Sequence, residues 1–279
     1  MKFEDCKIST STFIGTSNLV INLVKVFETI PLVHHDFDTN PSLNQDGVVS
    51  VKYNQQTRGL FPNDKNKHSK SFRNTLTLIV CVSCRTFNFK IFSGSIGNPN
   101  KTQHPGAKSI HDAIQSFKVF WNCIVPFRDL YVVKQDPTIT LYSVMTNINF
   151  NIGMNINRQR LYKVVKGSDV FKTFIDIDHG HTGVNIKLEI DDRYELDDIP
   201  IMNLHTDEIS YTTTQEYYKL LSPTQVLKDK KQKMSTFIVF HSGKVIMSSC
   251  NIKYMRIHFD VFMRFINSNK NEIEDTSTF

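Results

Sequence analysis

Apolar residues recur along this chain with two periods, every second residue where strands are expected and every third or fourth where helices are. The segment Ile8 to Ile14, rich in Ser and Thr, predicts a strand. Val20, Leu23, Val24, Phe27 and Ile30 then fall on one face of a helix. A short strand is expected over Val48 to Tyr53, and the polar, basic run 54–70 (NQQTRGLFPNDKNKHSK) is expected to be loop. Thr75 to Ser83 and Thr86 to Phe92 predict stronger strands, with Ser93 and Gly94 marking a turn into another. Ser109 is a good N-cap for a helix reaching Trp121, with Ile110, Ala113, Ile114, Phe117 and Trp121 as its apolar stripe.

The second half repeats this order. Leu141 to Ile152 predicts a strand with Asn at alternate positions, and a weaker helix follows over Arg158 to Val165. Strands are expected over Val170 to Ile177 and Val184 to Ile190. A long insertion, 191–233, is acidic at Asp191 to Asp198 and basic at Lys228 to Lys233. Thr236 to Phe240 and Lys244 to Ser249 are the clearest strands, and Ile252, Met255, Phe259, Phe262 and Ile266 stripe a last helix. The polar residues 268–279 are expected to be disordered. KIFSGSI ahead of the second helix and VFHSGKVI ahead of the last share local spelling. The expected organisation is therefore a first repeat over 1–130 with inserted loops and a second over 131–267, related by an approximate internal two-fold.

Strands that bury one face alternate apolar and polar residues, and IVFHSGKVIMSS does not. Ile238 and Phe240 share one face, Phe237 and Val239 the other; Val245 and Met247 lie opposite Ile246. TLTLIVCV is also apolar on both faces. About two helices per half cover one face of a sheet. Either the insertions fold over the second face, or it is an exposed apolar surface kept for a partner.

Composition narrows the partner. The net charge is +6 and the pI about 8.9, a mild basic excess compatible with a phosphate-binding surface. The runs KNKHSK and KDKKQK are solvated loops or phosphate contacts. No segment has the unbroken apolar length of a membrane span, and MKFEDCKIST lacks the apolar run of a secretory signal. Five irregularly spaced cysteines fit reduced thiols, and an intracellular location is expected.

Catalytic patterns are sparse. Cys81 and Cys84 have the spacing of half a zinc site, but Cys6, Cys123 and Cys250 are isolated and supply no second half. Asp176, Asp178, His179 and His181, with His34 to Asp36, form the most metal-like set. A metal-dependent phosphohydrolase is the enzyme reading they leave open, and a solvated loop the plainer one. No glycine-rich phosphate loop or nucleophile–His–acid set occurs, and no cofactor, metal or enzymatic activity is expected.

IVFHSGKVIMSSC resembles the stirrup-side hairpin of the TATA-binding protein family, in which an aromatic residue, SerGlyLys and an apolar-Thr-Gly strand recur. Phe240, Ser242, Gly243 and Lys244 match directly, and Ile246 and Ser248 take the places of a Val and a Thr. Ser93 and Gly94, Gly106 to Lys108 and the opening strand ISTSTFIG resemble further family positions. The insertions make the chain look most like the homologues of large nucleocytoplasmic DNA viruses.

The resemblance implies an α+β saddle of two repeats, with a curved antiparallel sheet and helices on the convex face. It further implies a monomeric transcription initiation factor whose apolar concave sheet lies in the minor groove of AT-rich promoter DNA. The implied contacts are Ile238, Phe240, Lys244, Ile246 and Ser248, with Ile91, Lys7, Ser9, Asn147 and Asn149. In the family, pairs of Phe side chains wedge into base steps. Here Phe240 matches one and its partner falls near His181 or Thr182. In the first half Ile91 takes the wedge position, Phe92 faces the other way, and the partner falls near Phe72 to Asn74. The implied partners are double-stranded DNA, a TFIIB-like factor and RNA polymerase. The implied location is the host cytoplasm or virion for a viral protein and otherwise the nucleus. A protein- or peptide-binding module using the same sheet without DNA is the alternative.

Overall fold

The computed structural model describes residues 1–36, 45–60, 73–96, 99–174, 183–190, 198–219, 221, 226 and 233–276. Contacts divide the chain into two compact units. Unit A is Thr12–Tyr142 with Leu196–Thr214; unit B is Met1–Ser11, Ser143–Glu195 and Gln215–Phe279. Strands β1 (Lys7–Ser17) and β9 (Thr138–Asn151) contribute residues to both, so compactness cuts the chain differently from sequence order.

Unit A continues with β2 (Val20–Ile21), α1 (Leu23–Thr29), β3 (Gly47–Tyr53), β4 (Gln56–Gly59), β5 (Thr75–Val82), β6 (Arg85–Phe92), β7 (Lys101–Ala107), α2 (Ile110–Ile124) and β8 (Tyr131–Val132). Its antiparallel sheet runs β4-β3-β5-β6-β7-β1, and β2 pairs with β8 apart from it. From 196–214 come β12 (Ile199–Asn203) and β13 (Ile209–Thr212); β12 pairs with the start of β9, Ile201 opposite Thr140. Unit B holds α3 (Arg158–Lys166), β10 (Lys172–Phe174), β11 (Gly183–Glu189), β14 (Met234–Phe240), β15 (Lys244–Ser249), α5 (Ile252–Ser268) and α6 (Lys270–Ile273), while α4 (Thr214–Lys219) begins at the unit boundary. Its sheet runs β10-β11-β14-β15-β9. Both units thus place a meander of strands beside the strand that opened the segment, with one helix after the opening strand and a longer helix after the last. The class is α+β with antiparallel sheet.

Each unit has its own core under its helices. Unit A packs Phe117, Phe120 and Trp121 of α2 against Leu76, Leu78, Val80, Phe89 and Ile91. Full burial of such side chains stabilises by about 1.5–3 kcal/mol each. Ser109 caps α2, accepting from the Asp112 N–H at 3.1 Å while the Asp112 carboxylate accepts from the Ser109 N–H at 3.2 Å. Unit B packs Met255, Phe259, Phe262 and Ile266 of α5 against Ile148, Phe150, Phe237, Val239, Val245 and Met247.

Several expected elements differ. Val20 lies in β2 rather than in α1, because Asn22 caps the helix by accepting from the Lys25 N–H. Residues 56–59, expected as loop, form β4; they pair with β3 through their backbone and carry no apolar residue to signal it. The tail expected to be disordered from Ser268 carries α6 instead. Ile273 is fully buried in the unit B core, and Asp275 donates its N–H to the Asn155 carbonyl.

Candidate nucleic-acid interface

The two faces of the unit B sheet differ sharply. In β14, Ser235, Phe237 and Val239 are buried and Met234, Thr236, Ile238 and Phe240 are half-buried on the other side. In β15, Val245, Met247 and Ser249 are buried, Ile246 and Ser248 half-buried and Lys244 exposed. Val184, Ile186 and Leu188 of β11 face the core, which leaves Gly183, Asn185, Lys187 and Glu189 on the second face. Ile148 and Phe150 of β9 do the same for Asn147, Asn149 and Asn151.

Register assembles these residues into rows. Asn185 pairs with Ile238, Ile238 with Ile246, and Ile246 with Asn149. One step away, Lys187 pairs with Thr236, Thr236 with Ser248, and Ser248 with Asn147. On the other side, Gly183 pairs with Phe240 and Lys244 with Asn151. Ile238, Phe240 and Ile246 belong to neither core, so an apolar strip crosses the centre of this face, with Asn185 of β11 on one side and Asn147, Asn149 and Asn151 of β9 on the other. The strip residues are half-buried rather than exposed. Lys172 and Glu189 form an ion pair at the outer edge of this face.

Two glycines shape the strip. A Cβ on Gly183 would lie 2.7 Å from Cγ2 of Ile238, so this position lets the two apolar side chains sit against β11. Gly243 closes the β14–β15 turn with φ +74, and a Cβ there would meet the Met154 carbonyl oxygen at 2.2 Å. Its N–H donates to the Phe240 carbonyl and its own carbonyl accepts from the Ile152 N–H. The SerGlyLys spelling thus has a backbone cause: the turn needs a left-handed residue without a side chain.

Phe240, Ile238, Ile246 and Ser248 stand together on the open face, with Lys244 at its margin and Asn147 and Asn149 alongside. The first-half candidates do not join them. Ile91 is fully buried in unit A beneath α2, and alternation gives the other face to Lys90 and Phe92, the reverse of the expected register. The reason is where each strand ends relative to SerGly: Phe92 directly precedes Ser93, whereas His241 stands between Phe240 and Ser242. Alignment on SerGly therefore shifts the strand by one residue, and one residue exchanges faces. Lys7 and Ser9 are both exposed at the start of β1 but fall on the opposite parity from Ile8. Ser11 shares their parity, is buried, and meets the Thr146 hydroxyl at 3.1 Å on the helix-bearing side. That parity leaves Ile8, 36% exposed, for the open face, while Ser9 donates to the Asn147 carbonyl.

The apolar second face of β5 has a different explanation from that of β14 and β15. Val49, Ile79 and Cys81 form a small cluster with Val33 packed on it. Part of the second face of the unit A sheet is covered by Val33 from the chain after α1.

Behind the strip, His258 of α5 meets Ser235 Oγ at 2.8 Å, and Ser235 donates to Ser249 Oγ at 2.8 Å. Burial lowers the His258 pKa, so the ring is neutral and this chain of hydrogen bonds ties helix to sheet without charge. Among the described residues no group of three or more His, Cys, Asp or Glu could hold a metal ion, and no helix is long and apolar enough to cross a membrane. The set Asp176, Asp178, His179 and His181, the wedge partners near His181 and at Phe72, the run KNKHSK and all of KDKKQK except Lys233 lie outside the described residues.

No family model matches the chain. Over 142 residues it is 28% identical to "Uncharacterized protein 335L" of Invertebrate iridescent virus 6, covering 45% of this chain and 41% of that one. The match thus spans well under half of that viral protein. Among solved structures the chain is similar to the TBP of Methanococcus jannaschii, with a TM-score of 0.47 and 12% identity, over 94% of this chain and 98% of the other.

Proposed function

We propose that this chain binds double-stranded DNA through the open face of unit B, as a TATA-binding-protein-like initiation factor. The observation that carries the reading is the apolar strip of Ile238, Phe240 and Ile246, which lies outside both cores and is bordered by Asn185, Asn147 and Asn149. A duplex minor groove has walls of sugar and a floor of hydrogen-bonding base edges. An apolar strip fits the first and flanking amides the second. Phe240, at the strand end beside the turn, is the side chain placed to wedge into a base step, as minor-groove proteins do with apolar residues. Lys244 at the margin supplies a phosphate contact. The hairpin spelling around Phe240 to Ser248 adds family resemblance to the physical argument.

On this reading the contiguous halves 1–130 and 131–267 are two copies of one unit, and no bond is made or broken. AT-rich promoter DNA is the target, and a TFIIB-like factor and RNA polymerase join the complex. Stepwise salt titration of binding to an AT-rich duplex, chosen by selection from random duplexes, tests it. Affinity should fall linearly in log–log form as salt rises, because phosphate contacts release counterions. Failure to bind any selected duplex, or an affinity indifferent to salt, contradicts it and leaves protein docking as the use of the same face.

A further inference from the structure

The tail after α5 reaches back to the turn that carries Phe240, and Ile156 lies between them. The Ile156 N–H donates to the His241 carbonyl at 2.7 Å, and the Ile156 carbonyl accepts from His241 Nδ1 at 3.0 Å. Its neighbours pair the other way. The Asn157 N–H donates to the Ile273 carbonyl at 2.8 Å, and the Asn155 carbonyl accepts from the Asp275 N–H at 2.9 Å. This is antiparallel pairing with Ile156 opposite Glu274, in which successive residues send their backbone bonds to opposite sides. The same stretch of chain holds the rest of the turn. The Ile152 N–H donates to the Gly243 carbonyl at 2.9 Å, and Asn151 Nδ2 donates to the Ser242 carbonyl at 3.4 Å. The Asp275 carboxylate adds a direct tail-to-turn contact, 3.7 Å from His241 Nδ1. Ile156 and Ile273 are both fully buried in the unit B core. Ile273 alone would anchor the tail there, yet the pairing runs on past it to Asp275.

We infer that residues 269–275 are a strap that fixes the β14–β15 turn, and with it the direction of Phe240, before a duplex is engaged. Asp275 is a positioning residue in this strap, acting through Ile156 and His241. The effect on affinity rests on the DNA-binding reading above; the effect on the turn does not. The hairpin's own bond, from the Gly243 N–H to the Phe240 carbonyl at 3.0 Å, closes the turn but does not stop it moving as a unit. Residues 151–157 supply that restraint, and the strap holds them in place. A wedge works against base stacking, so a ring that keeps its direction opens a step better than one on a turn free to swing. A turn ordered in advance also loses less conformational freedom on binding.

Asp275→Pro in the full chain removes the N–H that pairs with Asn155. Glu274 already has φ −65 and ψ 134, the extended backbone that precedes proline readily, and Ile273 is untouched. Amide hydrogen exchange should speed up at Ile156 and Gly243 by about 2- to 10-fold, the equivalent of one hydrogen bond, with the amides of β14 unchanged. Affinity for an AT-rich duplex should fall by about the same factor, mainly through faster dissociation. In a Phe240→Ala background Asp275→Pro should change affinity no further, because the direction of that ring is what the strap sets. If Asp275→Pro does not fold, the wild-type chain decides. Its amides at Ile156, Asn157, Gly243 and Asp275 should exchange through one shared opening, with the same dependence on denaturant. Unchanged exchange in a folded Asp275→Pro protein, or separate openings in the wild type, overturns the strap. Faster exchange with wild-type affinity, or an equal loss of affinity with and without Phe240, overturns its role in positioning that residue. Absence of binding to every duplex overturns instead the DNA-binding reading, and the exchange data still judge the strap.

Discussion

A methyl group on Gly183 would sit 2.7 Å from Cγ2 of Ile238, closer than packed carbon atoms approach. Gly183→Ala should therefore push Ile238 outward and cost about 1–3 kcal/mol by overpacking. In an Ile238→Ala background the same change should cost much less. Urea unfolding of the four proteins in this cycle checks it, and additive effects would show that the two positions are not coupled.

Gly243 should tolerate no side chain. Its φ of +74 and the Met154 carbonyl 2.2 Å from a would-be Cβ combine strain with a clash against backbone. Gly243→Ala is expected to destabilise by about 1–3 kcal/mol. Ser242→Ala, at the exposed neighbour, should stay within about 0.5 kcal/mol. Thermal unfolding of both variants distinguishes a backbone requirement from a side-chain one.

Ile91 and Phe92 should behave oppositely. Ile91→Ala opens a cavity under α2 and should cost about 2–5 kcal/mol of stability. Phe92→Ala removes a half-buried ring on the other face and should cost far less stability. A large stability loss for Phe92→Ala with a small one for Ile91→Ala would reverse the assigned register.

His104 gives unit A a pH dependence. Full burial lowers its pKa to about 3, and its ring nitrogens meet Thr102 Oγ1 at 3.0 Å and Ser116 Oγ at 3.3 Å. The unfolded chain binds this proton near the ordinary value of about 6.5 and the folded chain does not. Stability is therefore fully present above about pH 6.5 and falls as pH drops toward 3, by up to about 1.4 kcal/mol per pH unit from this residue. His104→Gln should flatten that slope between pH 6 and 4, as read from midpoints of denaturant unfolding. An unchanged slope would mean that other groups carry it.

Alternation made the unit B face legible in the sequence. Phe237 and Val239 against Ile238 and Phe240 define two sides of one strand without reference to any fold, and the same holds for Val245 and Met247 against Ile246 and Ser248. Asn185 and Gly183 were legible by the same rule, as members of GVNIKLE opposite Val184, Ile186 and Leu188, but carry no motif to single them out. Ile91 takes the wedge position only by matched spelling, and a strand that ends one residue nearer to SerGly presents the opposite face there. β4 is held by backbone pairing with β3, and α6 by the single buried residue Ile273. Neither leaves a periodic trace in sequence. That TLTLIVCV has Val33 packed on its second face is a tertiary fact that strand composition does not encode.

Phe240 is the side chain whose loss bears most directly on DNA binding. Its side chain is half-buried on the open face and belongs to neither core, so its truncation should spare the fold. The deciding measurement is the affinity of Phe240→Ala for a dye-labelled AT-rich duplex, by fluorescence anisotropy at fixed salt, beside its unfolding midpoint. The account predicts a loss of about 1–3 kcal/mol in binding, the range for one aromatic side chain on bases, with the midpoint nearly unchanged. Wild-type affinity in a stably folded Phe240→Ala protein would contradict it.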